Sequence, residues 1–352
     1  MSGTRAAACS IMLVIVQVPG QASAGPLYTQ ALPAVQYDTL PSPDAALSRG
    51  FTALTSVVEL SDGRILLSDP REQSIVVADF ATQGVEAVSR TGGGPGEYRI
   101  AMPIRALGRS RAIMVDGLSR RWLLFEGSDV TQTLTSSHSA VQEFGNRFPY
   151  GVDSLGHILT TEPGPRADSA RLVLYSRGEA SSQIVGALYL PDSELPGGLA
   201  SYEKAFLAID GWIAVLRIEP YRVDWRRPDG TWIRGSPLPH PPDPLDRADR
   251  ERLGQNSRYE GINWPEHWPP SAGGYQLLPS LDGSVLIRRS RPTRETVVRY
   301  DVVDRNGNLE VQLQLPLNQH ILGFGRETVY SVARDEFDLQ YVRRHRWRTW
   351  QE

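Results

Sequence analysis

The side chains in this sequence that could do chemistry are few and scattered. The six histidines are His138, His157, His240, His267, His320 and His345. No two of them stand four residues apart, the spacing that puts two imidazoles on one helix face for zinc. No Gly-x-Ser-x-Gly stretch is present to mount a nucleophilic serine. Glu97, Asn146, Glu203 and Asn318 fall near the starts of β-prone runs. Carboxylate and amide oxygens of this kind can ligate a hard cation such as calcium. Beside turns, the same residue types commonly serve only to close the turn. No residue is assigned a catalytic role on these grounds.

A second cluster is aromatic. Residues 236–274 open with Ser-Pro-Leu-Pro-His-Pro-Pro-Asp-Pro and later read Trp264-Pro-Glu-His-Trp-Pro-Pro270. Between these arms, Asp246 to Gly254 has the composition of a short helix. Connections this long commonly carry function. Trp264, His267 and Trp268 are therefore the candidate contacts for a ligand or partner. The competing reading is an ordered clamp packed across neighbouring strands.

The third cluster is Ser89-Arg-Thr-Gly-Gly-Gly-Pro-Gly-Glu-Tyr98. A phosphate cradle needs a helix after the glycines and a Lys-Ser/Thr pair, and neither follows. Glycine permits positive φ and close backbone approach. Gly94, Pro95, Gly96, Glu97 and Tyr98 thus read as a structural loop. Glu97 is placed to accept backbone N–H groups, and Tyr98 to pack beneath the next element.

The elements that must position these clusters repeat along the chain. Each copy is a β-prone run, a tight turn often written Asp-Gly, a second run, a polar gap, and one or two further runs. The clearest copy joins Thr55–Leu60, Ile65–Ser68, Ser74–Phe80 and Val85–Ser89 through hairpin-sized loops. Further copies are centred on turns at Leu107–Ser110, Asp153–Gly156, Asp210–Gly211, Asp282–Gly283 and Gly323–Gly325. Six such units predict an all-β, six-bladed β-propeller with four-stranded antiparallel blades. A β-sandwich or a two-domain β protein is the alternative. The last copy lacks a full outer pair of strands. Ala34–Asp38 is expected to complete it from the N-terminal side, which would remove an exposed sheet edge.

The Gly-Pro-Gly-Glu-Tyr loop, followed by Pro103, resembles the inter-blade loop of exported bacterial six-bladed propellers of the NHL-like and TolB-like group. There a G-x-G-P-G-[EQ]-[FY] segment and a proline lead into the inner strand of the next blade. The resemblance implies the same fold. Some six-bladed propellers are metal-dependent lactonases or lyases with ligands at the central channel. This gives the second functional reading, a metal-dependent hydrolase or lyase with calcium at the channel mouth held by Glu97, Asn146, Glu203 and Asn318.

The N-terminus carries Arg5, an apolar stretch Ile11–Val16 and the small-residue site Ala22-Ser-Ala24. These are the three parts of a secretory signal peptide. Residues 1–24 are thus expected to be removed, leaving 25–352 as one propeller domain with the Pro/Trp-rich insertion at 236–274. Cys9, the only cysteine, would leave with the signal. No later apolar run reaches membrane-spanning length. The formal net charge of −3 gives no basic face for a nucleic acid. Lys204 is the only lysine. The basic tail Arg343–Arg348 reads as a solvated strand whose charges protect a sheet edge. The expected protein is a periplasmic or secreted, non-enzymatic binding module. Its partner would be a protein, a peptide or a small molecule, met on the channel face and the insertion.

Overall fold

The computed structural model describes residues 37–347, apart from 109, 136–148, 177–181, 192–194, 196–198, 201, 241–242 and 272–276. The expected signal segment 1–24, Asn146 and residues 34–36 lie outside the described residues.

Six sheets account for the strands. Blade one is Ser56–Glu59, Ile65–Asp69, Ser74–Ala78 and Val85–Ser89. Blade two is Ile104–Ala106, Arg111–Asp116, Arg121–Glu126 and Asp129–Leu134. Blade three is Gly151–Val152, Ile158–Pro163, Ser169–Tyr175 and Ser182–Tyr189. Blade four is Lys204–Leu207, Ile213–Ile218, Tyr221–Arg226 and Trp232–Ile233. Blade five is Leu277–Pro279, Val285–Arg288, Val297–Val303 and Leu309–Pro316. Blade six has Gln319–Phe324, Thr328–Arg334 and Gln340–Arg346. Neighbours within each blade pair antiparallel in chain order. The first strand of each blade touches the first strand of the next, and blade six touches blade one, so the inner strands close a ring. This is a six-bladed β-propeller.

The alternation of side chains explains why the runs are apolar throughout. Successive residues on a strand face opposite sides of its sheet. Ile65, Leu66 and Leu67 are all fully buried. Ile65 and Leu67 pack with Tyr330 and Val332 of blade six, whereas Leu66 packs with Ile104 and Met114 of blade two. A blade held between two others buries both faces, so strict hydrophobic–polar alternation is lost. Six apolar clusters sit one at each junction between neighbouring blades. Turn glycines let the hairpins close; Gly63 and Gly283 sit at φ +85° and +99°.

Blade six is completed from the N-terminal side, by Ala45–Ala46 pairing with Gln340–Arg346. That corrects the expected strand. Tyr37–Asp38 instead pairs in parallel with Leu309–Pro316, at the outer edge of blade five. The segment that follows is tied down by several groups. Phe51 and Gln340 exchange backbone hydrogen bonds of 2.9 and 2.7 Å, and Leu54 N–H donates to Gln340 Oε1 at 2.8 Å. His345 Nδ1 lies 2.7 Å from the Pro41 carbonyl, which can only accept. Burial keeps this ring below the usual histidine range, so it is neutral and its Nε2 accepts from Ser331 Oγ at 2.8 Å. Glu59 of blade one accepts from Tyr330 Oη and Thr328 Oγ1 of blade six across the seam.

The Gly-rich loop joins blades one and two. Glu97 Oε2 accepts the Gly94 N–H at 2.6 Å, and Arg90 Nε donates to its other oxygen at 2.7 Å. The Gly94 hydrogen bond, then Arg90, holds this carboxyl below its usual range. A Cβ on Gly92 would meet Glu97 Oε2 at 2.1 Å. Gly96 has φ +76° and donates to Thr133 Oγ1. Tyr98 is fully buried between the two blades, and its hydroxyl donates to Gln73 O at 2.8 Å.

Candidate ligand-binding site at the channel mouth

The ring of inner strands encloses a central channel of about 460 Å³. Its wall takes residues from all six blades and is largely apolar, with Val57, Ile104, Val152, Leu207, Leu278 and Leu322 among them. Asp210 and Arg305 also line it, and they neutralise each other through a 2.6 Å ion pair. Arg105, Arg288 and His320 complete its strongly polar lining.

Inner strands begin on one face of the propeller, here called the upper face. Second strands run back to it, so Arg288, at the end of Val285–Arg288, arrives at the upper mouth. His320 arrives there at the start of Gln319–Phe324. Burial, reinforced by the charges of Arg288 and Arg334, pushes the His320 imidazole down to about 4. At neutral pH the ring is therefore uncharged beside a guanidinium. The Arg288 side chain makes neither a hydrogen bond nor an ion pair with another described residue.

The insertion leaves the outer strand of blade four and returns to the inner strand of blade five, both at this upper face. Its two arms pair: Leu245 N–H donates to Glu266 O, and Trp268 N–H to Asp243 O, each at 2.8 Å. Between them runs the helix Arg247–Gly254. Asp246 and Asp249 cap it reciprocally, each side chain accepting the other's backbone N–H. Asp249 is completely buried. It also accepts from Trp268 Nε1 at 2.9 Å and from the Thr293 N–H of the blade-five loop at 2.6 Å. Burial alone would raise its pKa, but these hydrogen bonds hold it below the usual carboxylate range. Arg252 Nε donates to Thr293 Oγ1 at 2.8 Å, and Arg294 pairs with Asp243 at 2.7 Å. The insertion is thus latched to the upper loop of blade five.

A second latch is buried deeper. Arg289 Nη2 lies 2.6 Å from His240 Nδ1. Arginine can only donate, so this nitrogen accepts and the ring is neutral. Burial and the Arg289 charge push His240 down to about 4. Arg289 also lies 3.9 Å from Asp301, which accepts from Tyr221 Oη at 2.9 Å. Burial raises the Asp301 carboxyl. Lys204 is buried at the start of the blade-four inner strand, 3.1 Å from Ser271 Oγ. Burial lowers its ammonium to about 8.

The sequence candidates fall into separate places. Trp268 is 7% exposed and packs with Leu199, Leu245 and Tyr259. Trp264 stacks on Tyr259 at an interplanar angle of 13°. Both tryptophans thus join a small core that the insertion shares with Leu199, while His267 is exposed on its surface. Glu97 is committed to its loop. Glu203 accepts from Arg217 Nη1 at 2.6 Å and from the Tyr189 N–H. Asn318 donates to Arg334 O. These three side chains do not converge, and among the described residues no group of three or more His, Cys, Asp or Glu gathers to hold a metal ion. The three described donors, Glu97, Glu203 and Asn318, do not form a calcium centre, and no chemical step is derived through one. Arg288 and His320 were not legible as neighbours at the mouth, because two distant positions share no spacing in the chain.

No protein-family model matches the chain, and no curated protein matches it. Among solved structures, it is similar to a Bacteroides fragilis protein described as exported, at 10% identity and a TM-score of 0.49, over 88% of this chain and 93% of that one. It is also similar to regucalcin, a calcium-binding protein from Agrobacterium tumefaciens, at 10% identity and a TM-score of 0.42, over 89% and 97%. Virginiamycin B lyase from Staphylococcus aureus gives 10% identity and a TM-score of 0.43, over 86% and 97%. At such identity the likeness concerns fold alone, and the propeller assignment rests on the sheet order and the closed ring of inner strands.

Proposed function

We propose that this protein is an exported, non-enzymatic binding module that admits a small molecule or a peptide end at the upper mouth of its channel. The observation that carries this reading is the channel lining: apolar walls, with the Arg288 guanidinium and a neutral imidazole at one opening. Pockets of this size and character suit small ligands held by a few polar groups. The insertion is latched to the upper loop of blade five, and exposed His267 remains available to a partner. The signal-like N-terminus supports export. No helix among the described residues is long and apolar enough to cross a membrane.

A thermal-shift panel of metals, small carbohydrates, organic acids and peptides tests the binding role, run beside an Ala106→Phe variant that narrows the channel. A ligand that stabilises the native chain but not the variant is expected, with circular dichroism confirming that the variant is folded. Equal stabilisation of both would contradict binding in the channel. Export is tested by N-terminal sequencing of secreted or periplasmic material, which should begin at Gly25; an intact Met1 start in that fraction would contradict it.

A further inference from the structure

The geometry points to an oxyanion seat at the channel mouth, formed by Arg288, Arg291 and Arg252, which holds the acidic head of an organic acid whose apolar body enters the channel. This deepens the binding role proposed above and rests on it. Arg288 lines the channel. Arg291 lies three residues further on, in the upper loop of blade five. Arg252 reaches the same loop from the insertion helix through its bond to Thr293 Oγ1. Its guanidinium also lies over the Trp268 ring, 5.9 Å from the centroid.

Gathering three guanidiniums is unfavourable unless something neutralises them. Burial and the charges of Arg252 and Arg288 all press on Arg291, lowering its pKa below the usual guanidinium value. The two carboxylates whose charges also reach Arg291 are committed elsewhere. Asp249 serves Trp268, Thr293 and the helix N-terminus. Glu295 pairs with Arg299 at 2.9 Å. The side chains of Arg291 and Arg288 make neither a hydrogen bond nor an ion pair with another described residue. Guanidinium forks match carboxylate and phosphate oxygens bidentately. Below the seat the wall turns apolar, so the ligand that satisfies both regions is an acid with a hydrocarbon body. Neutral His320 adds a hydrogen-bonding group at the boundary.

The test uses three probes on the full chain by isothermal titration: octanoate, octanol and inorganic phosphate. Octanoate is expected to bind at least about tenfold more tightly than octanol, with affinity falling as salt rises. Arg288→Gln combined with Arg291→Gln should weaken octanoate about tenfold or more and leave octanol unchanged. Arg252→Gln, placed on the helix, should weaken it less, and thermal melts establish that each variant is folded. Octanol binding as well as octanoate, with neither responding to the glutamine variants, would overturn the seat while leaving channel binding intact. Phosphate binding as tightly as octanoate would overturn the apolar-body part of the assignment. Failure of all three probes would overturn the seat. The wider binding role falls separately, if no ligand distinguishes the native chain from Ala106→Phe.

Discussion

Three side chains tie the insertion and the mouth to pH. His240 and His320 both lie near 4 in the folded chain, against an ordinary value of 6.5. A histidine with a depressed folded pKa binds its proton more readily when unfolded. Stability from these two groups is therefore complete above about pH 6.5 and declines as the pH falls towards 4. Melting temperature should drop across that window, and His240→Asn with His320→Asn should flatten the drop; an unchanged slope would remove both rings from the account. Asp249 acts lower. Its folded pKa is depressed, so its contribution is present above about 3.8 and is lost as the pH falls below that value. Asp249→Ala leaves the Trp268 indole N–H and the Thr293 N–H without their acceptor. The expected cost is about 1–3 kcal/mol, read as faster proteolysis within 236–271. Cleavage at the native rate would show that the latch lies elsewhere.

At the level of elements, strand and turn chemistry were legible and short pairings were not. The runs at Ile65–Asp69 and Val297–Val303 declare themselves through β-branched and aliphatic residues, and the Asp-Gly turns mark where they reverse. The helix was legible from Asp246 to Gly254, and it forms as Arg247–Gly254 behind its cap. Ala45–Ala46 has no such signature, because two alanines beside prolines carry no β preference. Its place is fixed by what surrounds it: Leu47 and Phe51 fill the cluster between blades one and six, and His345 and Gln340 hold the backbone. Phe51 is fully buried in this seam. Phe51→Ala should cost about 3–5 kcal/mol, measured by urea unfolding. A loss under about 1 kcal/mol would mean that the N-terminal segment does not close the ring. The packing of the insertion tryptophans was not legible for a related reason: Trp and Pro enrichment marks a surface contact and a small core alike, and the bond from Trp268 to Asp249 appears only in the fold.

For the whole molecule, the ring of six blades makes one feature that no local pattern announces. Six short inner strands, spread over most of the chain, meet around a channel of about 460 Å³. Repeats predicted the ring; the lining emerges only when residues from all six blades are brought together. That is why oxygen-bearing residues near strand starts read as a cation site, whereas the channel lining places Arg288 and a neutral His320 at the upper mouth. Native mass spectrometry of the full chain purified from its producing cells tests channel binding most directly, with Ala106→Phe alongside. The expected result is a small-molecule adduct on the native protein that is lost from the folded variant. An adduct carried equally by both would contradict it.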